Sequence, residues 1–275
     1  MAFTVTTIIE NHSDDPRLEA QYGLSMYLTD GSFSLLLDTG ADGTFLKNAE
    51  TLGIKFDNLD TLVLSHGHSD HAGGVKALVE SGIRPRETYV GENFFVPRYK
   101  RESGRLRPIS AKVSEEYLMD NGVNYYVIEP GIHRLHEKVY MVNGIPAANS
   151  FETPNELLLC RIGREYVTDP FTEETVIVVE GAEGLAILSG CCHSGVLNTC
   201  EWISKLFERP IHTFIGGTHL MESDESRICE TMRRLDLMGV RRMGACHCHG
   251  ALATQLFSER YRGYFDNGCG SCIAL

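Results

Sequence analysis

An α/β sandwich is the fold class this sequence predicts, with two mixed β-sheets packed face to face and helices outside, in αββα layers. Three observations predict it. Each half of the chain starts in antiparallel hairpin candidates, and each then passes into strand–helix units. The polar residues able to hold metal fall at strand ends, which places a site along one edge, between the sheets. No composition shift or linker divides the chain, so residues 1–275 read as a single domain of two pseudo-symmetric halves.

The elements follow in order. Residues 4–10 (Thr-Val-Thr-Thr-Ile-Ile-Glu) are a β-branched strand candidate, and the polar stretch 11–17 is a loop. Segments 24–28 and 33–37 flank Thr29-Asp30-Gly31-Ser32, whose Asp-Gly is a hairpin signal. A helix over 44–52 stops at Gly53. Leu62, Val63 and Leu64 form a short buried strand, followed by a helix over 74–81 and a strand at 88–90. Residues 92–112 show no regular pattern. A short helix over 113–120 precedes a strand at 123–128, and 143–155 is a Gly/Pro/Asn-rich connection. Strands then fall at 156–161, 174–180, 184–188, 212–215 and 241–245, with helices over 196–207, 222–237 and 251–257.

The stretch 61–74 carries the chemistry. His66, His68, Asp70 and His71 stand within six residues at the end of a strand, where α/β proteins put their sites. In an extended turn His66 and His68 point the same way and reach one cation. Asp70 and His71, on the following bend, face a second. Gly67 and the Gly73-Gly74 pair let the backbone pass close and turn sharply. A packed core would leave four such polar groups unpaired, so the cluster reads as a metal site. Imidazole with carboxylate suits zinc first, with iron or manganese also fitting, and the pattern calls for two divalent ions.

The run His66-x-His68-x-Asp70-His71 resembles the signature of the metallo-β-lactamase superfamily. Asp38-Thr39-Gly40, Gly190-Cys191-Cys192-His193-Ser194-Gly195, Gly216-Gly217-Thr218-His219-Leu220 and Cys246-His247-Cys248-His249-Gly250 extend the likeness over nearly the whole chain. Together they resemble the branch holding the dihydropterin-ribofuranosylaminobenzene phosphate synthases of methanopterin biosynthesis. The resemblance implies the same αββα sandwich, with the 11–17 loop approaching the active site. It implies that His193 completes the first metal with His66 and His68, and that His247 joins Asp70 and His71 on the second. His249 stands where the branch has a small polar residue, which leaves His247, His249 and His219 open as the last ligand. His219 is either a ligand or a group that donates to the substrate or its leaving group. Asp38 alone reads equally as a turn cap; the resemblance makes it the group that orients a ligand imidazole. Asp70 adds a catalytic role, orienting the attacking water or shuttling its proton.

Composition sets the limits. With 43% apolar and 23% charged residues this is an ordinary soluble chain, and 37 acidic against 25 basic residues give −12. Nucleic-acid binding wants a basic face and is not expected. No apolar run approaches the roughly 18 residues of a membrane span. The start, Met1-Ala2-Phe3-Thr4-Val5, lacks a secretory pattern, and the nine cysteines are an odd number, so reduced thiols in a cytoplasm are expected. The partner is then a small, anionic substrate. Arg98, Lys100, Arg101, Arg105 and Arg107 form the one basic stretch, read either as a solvated loop or as a mobile lid gripping a phosphate or carboxylate. Cys191 and Cys192 read as small packing residues. Cys269 and Cys272, with Cys246 and Cys248, carry a weaker hint of a four-thiolate metal or redox site.

Three reactions are compatible with these residues. The first joins a pterin alcohol diphosphate to an arylamine ribofuranosyl phosphate, displacing pyrophosphate. The second hydrolyses a lactone, phosphodiester or related ester. The third is a Cys-rich metal or redox sensor without turnover.

Overall fold

The computed structural model describes residues 2–275. One sheet has seven strands, in the order Cys272–Ala274, Thr4–Ile9, Ser25–Thr29, Ser34–Leu37, Thr61–Leu64, Glu87–Gly91, Tyr125–Ile128. A second has six, in the order Arg242–Ala245, Ile211–Gly216, Leu185–Ser189, Thr175–Glu180, Val139–Asn143, Gly131–His136.

Alternation along the strands explains the layering. In Ser34–Leu37 and Thr61–Leu64, Leu35, Leu37 and Val63 face the other sheet, where they meet Met141, Ile177, Val179, Leu188 and Ile215. Their neighbours Leu36, Leu62 and Leu64 turn the opposite way onto Phe45 and Ala49 of the helix Thr44–Thr51 and Val75 and Leu78 of the helix Val75–Glu80. On the second sheet Val176, Val178 and Ile187 pack under the helices Val196–Phe207, Glu225–Leu237 and Ala251–Arg260. Strands apolar on both faces are the mark of a sheet covered on both sides. These are the expected αββα layers, with each fully buried Leu or Val contributing about 1.5–3 kcal/mol.

Parallel pairing fixes where the site falls. Ser34–Leu37 runs parallel to Thr61–Leu64, and Leu185–Ser189, Ile211–Gly216 and Arg242–Ala245 are mutually parallel. Their C-terminal ends carry Asp38, Ser65-His66, Gly190-Cys191, Gly217–His219 and Cys246-His247 to one edge of the sandwich.

The irregular-looking segment 92–112 is in fact ordered. Arg98–Glu102 and Arg105–Pro108 form a hairpin within a third sheet, beside Leu158–Ile162 and Glu165–Thr168. The hairpin returns along the metal-site loop, where Ala111 N donates to Gly67 O at 2.9 Å and Ser69 N to Ile109 O at 2.8 Å. Basic residues on both of its strands mask the alternation that marks a strand in sequence.

Candidate metal centre

Two groups of side chains meet at this edge. His66, His68 and His193 bring one ring nitrogen each within 4.8 Å of one another, and Asp70, His71 and His247 do the same with their donor atoms. The groups adjoin. His66 and His71 have ring centroids 4.2 Å apart, and His193 Nε2 lies 3.4 Å from His66 Nε2. His247 Nε2 stands 3.1 Å from His71 Nε2 and 3.4 Å from Asp70 Oδ2.

Asp38 organises both groups. His71 Nδ1–H donates to Asp38 Oδ2 at 2.7 Å, which turns His71 Nε2 toward the cluster. Ser65 donates its hydroxyl to the same oxygen at 2.7 Å, so its own oxygen accepts from His66 Nδ1 at 2.9 Å. One buried carboxylate thereby orients a histidine in each group.

His247 is held from the first strand. Its backbone N–H donates to the Glu10 carboxylate, and its Nδ1–H donates to Asn11 Oδ1 at 3.1 Å while Asn11 Nδ2 donates to its carbonyl at 2.9 Å. His193 is set from the segment 169–174. Glu174 accepts the backbone N–H of His193 and, at 2.8 Å, that of Ser194. Phe171 lies flat on the His193 ring, with centroids 3.8 Å apart and planes 9° apart. Asp38, His219 and His247 have φ of 61°, 51° and 56°, a left-handed backbone that costs on the order of 1–3 kcal/mol per residue. The surrounding contacts hold that strain at the site.

The electrostatics fit cations. Burial pushes His66 and His193 well below the usual imidazole range and His68 to about 3, so all three rings stay neutral with lone pairs free. His68 Nε2 is buried with no hydrogen-bond partner, an orphan a metal would satisfy. Burial opposes charge on His71 too, but Asp38 and Asp70 outweigh it and raise its pKa to about 9. A proton on His71 Nε2 then points at His247 Nε2, where a cation would stand. Burial also opposes charge on Asp70, yet His71 and His247 hold its carboxyl well below the carboxylate range.

Beside the clusters lies a cavity of about 150 Å³. His68, Asp70, His193 and His219 form its floor, with Lys100, Arg107 and Tyr22 around them. His219 belongs to neither donor group; its ring is 4.5 Å from that of His193, and burial lowers its pKa to about 4. His249 also stands outside both groups, with Nδ1 2.7 Å from Thr218 Oγ1 and its ring edge-on to Phe257. Of the three histidines left open, only His247 stands with Asp70 and His71.

The basic stretch divides. Arg98 is not a substrate ligand: it is 1% exposed, pairs with Asp169 at 2.8 Å and Glu173 at 2.6 Å, and donates to the carbonyls of Asn93, Phe94 and Val96. Its guanidinium fills the space behind Gly67, where a Cβ would lie 2.6 Å from Nη1. Lys100 and Arg107 line the cavity, Lys100 pairing with Glu222 at 2.9 Å and Arg107 with Glu102 at 2.9 Å. Arg101 and Arg105 are exposed on the hairpin and do not line the cavity.

The cysteines also sort differently from expectation. All nine are free thiols, and among the described residues no donor group unites Cys246, Cys248, Cys269 and Cys272. Cys246 accepts from Asn267 Nδ2 at 3.3 Å, Cys269 meets the Glu10 N–H at 3.1 Å, and Cys272 is exposed on the C-terminal strand. The Glu10 loop and Asn267 separate these sulfurs. Cys192 packs in the core near Thr199, as expected, but Cys191 does not merely pack. Its sulfur is 3.2 Å from His71 Nε2 and groups both with His66 and His71 and with His247 and Cys248. Neither this contact nor the roles of Glu10, Asn11, Ser65, Phe171 and Glu174 carries a sequence signal beyond position at or near a strand end.

Residues 19–141 match the family model of the metallo-beta-lactamase superfamily. The fold and the site define the class that the chain resembles: its architecture is that of metallo-beta-lactamase fold proteins, and its His/Asp clusters could hold metal. The chain is 26% identical over 260 residues to the 7,8-dihydropterin-6-methyl-4-(beta-D-ribofuranosyl)-aminobenzene-5'-phosphate synthase of Methanocaldococcus jannaschii, covering 90% of this chain and 87% of that protein. Among solved structures it is similar to Tm1679, a metal-dependent hydrolase of the beta-lactamase superfamily, with a TM-score of 0.87 and 24% identity over 99% of each chain. A diphosphatase from the PhnP family superposes with a TM-score of 0.57 and 14% identity, covering 100% of this chain and 98% of that one. Among the described residues no helix is long and apolar enough to cross a membrane.

Proposed function

We propose that this chain is a dinuclear enzyme that works on a phosphate-bearing small molecule, most like the pterin synthase to which it is similar. The observation that carries the reading is the adjacency of two donor groups to a cavity that also holds Lys100 and Arg107. His66, His68 and His193 would hold one divalent ion, and Asp70, His71 and His247 the other, with zinc ahead of iron or manganese. When bound, such ions supply Lewis acidity toward a phosphoryl oxygen and lower the pKa of bound water.

The chain's own residues supply the rest. Lys100 and Arg107 offset substrate charge, Arg107 with a planar fork suited to phosphate. Glu222 and Asn155 hold Lys100 at the cavity, Asn155 Nδ2 donating to Glu222 Oε2 at 2.7 Å. Asp70, ionised and lining the cavity, accepts a hydrogen bond from the nucleophile and orients it. His219, kept neutral by burial, offers a ring N–H to the leaving group. In the synthase reaction the arylamine nitrogen attacks the pterin methylene carbon and the C–O bond to the diphosphate breaks. Pyrophosphate leaves and takes up the amine proton.

Hydrolysis of a small phosphoester or lactone is the second reading, favoured by one observation. A cavity of about 150 Å³ is below the roughly 300–1,000 Å³ of most ligand sites. Two large substrates would require the Arg98–Pro108 hairpin to move and Lys100 to leave Glu222. Product analysis separates the readings. Incubation with pterin alcohol diphosphate and arylamine ribofuranosyl phosphate yields pyrophosphate and adduct in equal amounts on the first; release of the free alcohol without adduct supports the second. No turnover by metal-loaded protein on either class contradicts both.

A further inference from the structure

We propose that Cys191 and Cys248 form a redox pair that peroxide closes into a disulfide, disabling the second donor group. The two residues follow different strands, Leu185–Ser189 and Arg242–Ala245, and are 57 positions apart. Their sulfurs share a group with a ring nitrogen of His247 in which every donor atom lies within 4.8 Å of the others. Cys248 Sγ donates to the Cys191 carbonyl oxygen at 3.3 Å.

Gly217 makes this approach possible. A Cβ there would lie 2.6 Å from Cys248 Sγ and 2.9 Å from Cys191 Cα. Both cysteines line the cavity, though each is almost wholly buried. A space of about 150 Å³ admits hydrogen peroxide and excludes a bulky oxidant such as glutathione disulfide.

Cys248 Sγ also meets the backbone N–H of His219 at 3.2 Å, which holds it facing Cys191. One thiol attacks the peroxide: its sulfur takes one oxygen, the O–O bond breaks, and a sulfenic acid and water result. The other sulfur then displaces the sulfenic hydroxyl as a second water and the S–S bond forms. Two thiols lose two electrons in all, and one peroxide becomes two waters. Closure to about 2.05 Å commits the Cys191 sulfur, now 3.2 Å from His71 Nε2, to Cys248.

Only the consequence for metal rests on the dinuclear reading; the disulfide itself does not. The experiment uses the full chain stripped of metal with a chelator, treated with hydrogen peroxide, alkylated and mapped by peptide mass spectrometry. The expected result is two fewer alkylated thiols than the reduced chain and a 191–248 link, absent after glutathione disulfide. Cys191→Ser and Cys248→Ser each give no link. Oxidised wild type takes up one equivalent less of zinc, and dithiothreitol restores it. Should the Ser variants fail to fold, the wild-type map still decides. A link between other cysteines, unchanged thiol counts, or sulfinic acid on one sulfur without a link overturns the proposal. A 191–248 disulfide with zinc uptake unchanged overturns the switch, while metal content of the unoxidised protein judges the dinuclear reading separately.

Discussion

The His66–His68–His193 group and the Asp70–His71–His247 group lie side by side, yet they meet a cation on different terms. The first is built from neutral rings: burial keeps all three unprotonated, and His68 Nε2 has no partner at all. The second carries a carboxylate and a histidine whose pKa is raised to about 9, so a proton already bridges toward His247. A cation enters the first group without competition and must displace a proton from the second. Burial without a carboxylate prepares a ligand; burial beside two carboxylates gives its place to a proton first.

The largest effect expected comes from the support of the first group. Arg98→Ala leaves Asp169 and Glu173 buried and unpaired on the segment that seats His193. Denaturant unfolding of the metal-free chain should show a loss of about 3–5 kcal/mol. Asp38→Ala comes next and blurs the contrast, because this carboxylate serves both groups. Chelator competition should find metal affinity down about 10–100-fold at both sites, whereas Ser65→Ala weakens the first alone.

The pH response sharpens the comparison. His71 binds a proton below about pH 9, so the second cation's apparent affinity should rise with pH, about tenfold per unit from 7 to 9, and level off above. The first cation's affinity should stay flat over that range, since His66, His68 and His193 are already neutral. Equal slopes in competition titrations would erase the distinction. The smallest effects concern substrate. Lys100→Ala or Arg107→Ala should raise KM for a phosphorylated substrate about tenfold, as loss of one charge-assisted contact of about 1.5 kcal/mol implies. Arg101→Ala and Arg105→Ala should leave it unchanged.

How much of this could be read in the sequence follows from how local the physics is. His66, His68, Asp70 and His71 declare themselves because one strand end and one bend present them all. Residues 35–37 and 62–64 show their burial as unbroken apolar runs, and so the sandwich is legible. Arg98 looks like its basic neighbours because its partners Asp169 and Glu173 lie some seventy positions away. A greater separation hides Cys191, whose contact with His71 spans 120 positions. Residues that act through pairing across the fold carry no mark in the chain, whereas those in a single loop do.

The central claim is that two adjacent donor groups hold two cations. The most direct test is metal content per chain on anaerobically purified protein, wild type beside His68→Ala, Asp70→Ala and the double variant. The account predicts close to two equivalents in wild type, about one in each single variant and none in the double. Metal that survives the double variant, or a wild type that takes up none after reconstitution, would contradict it.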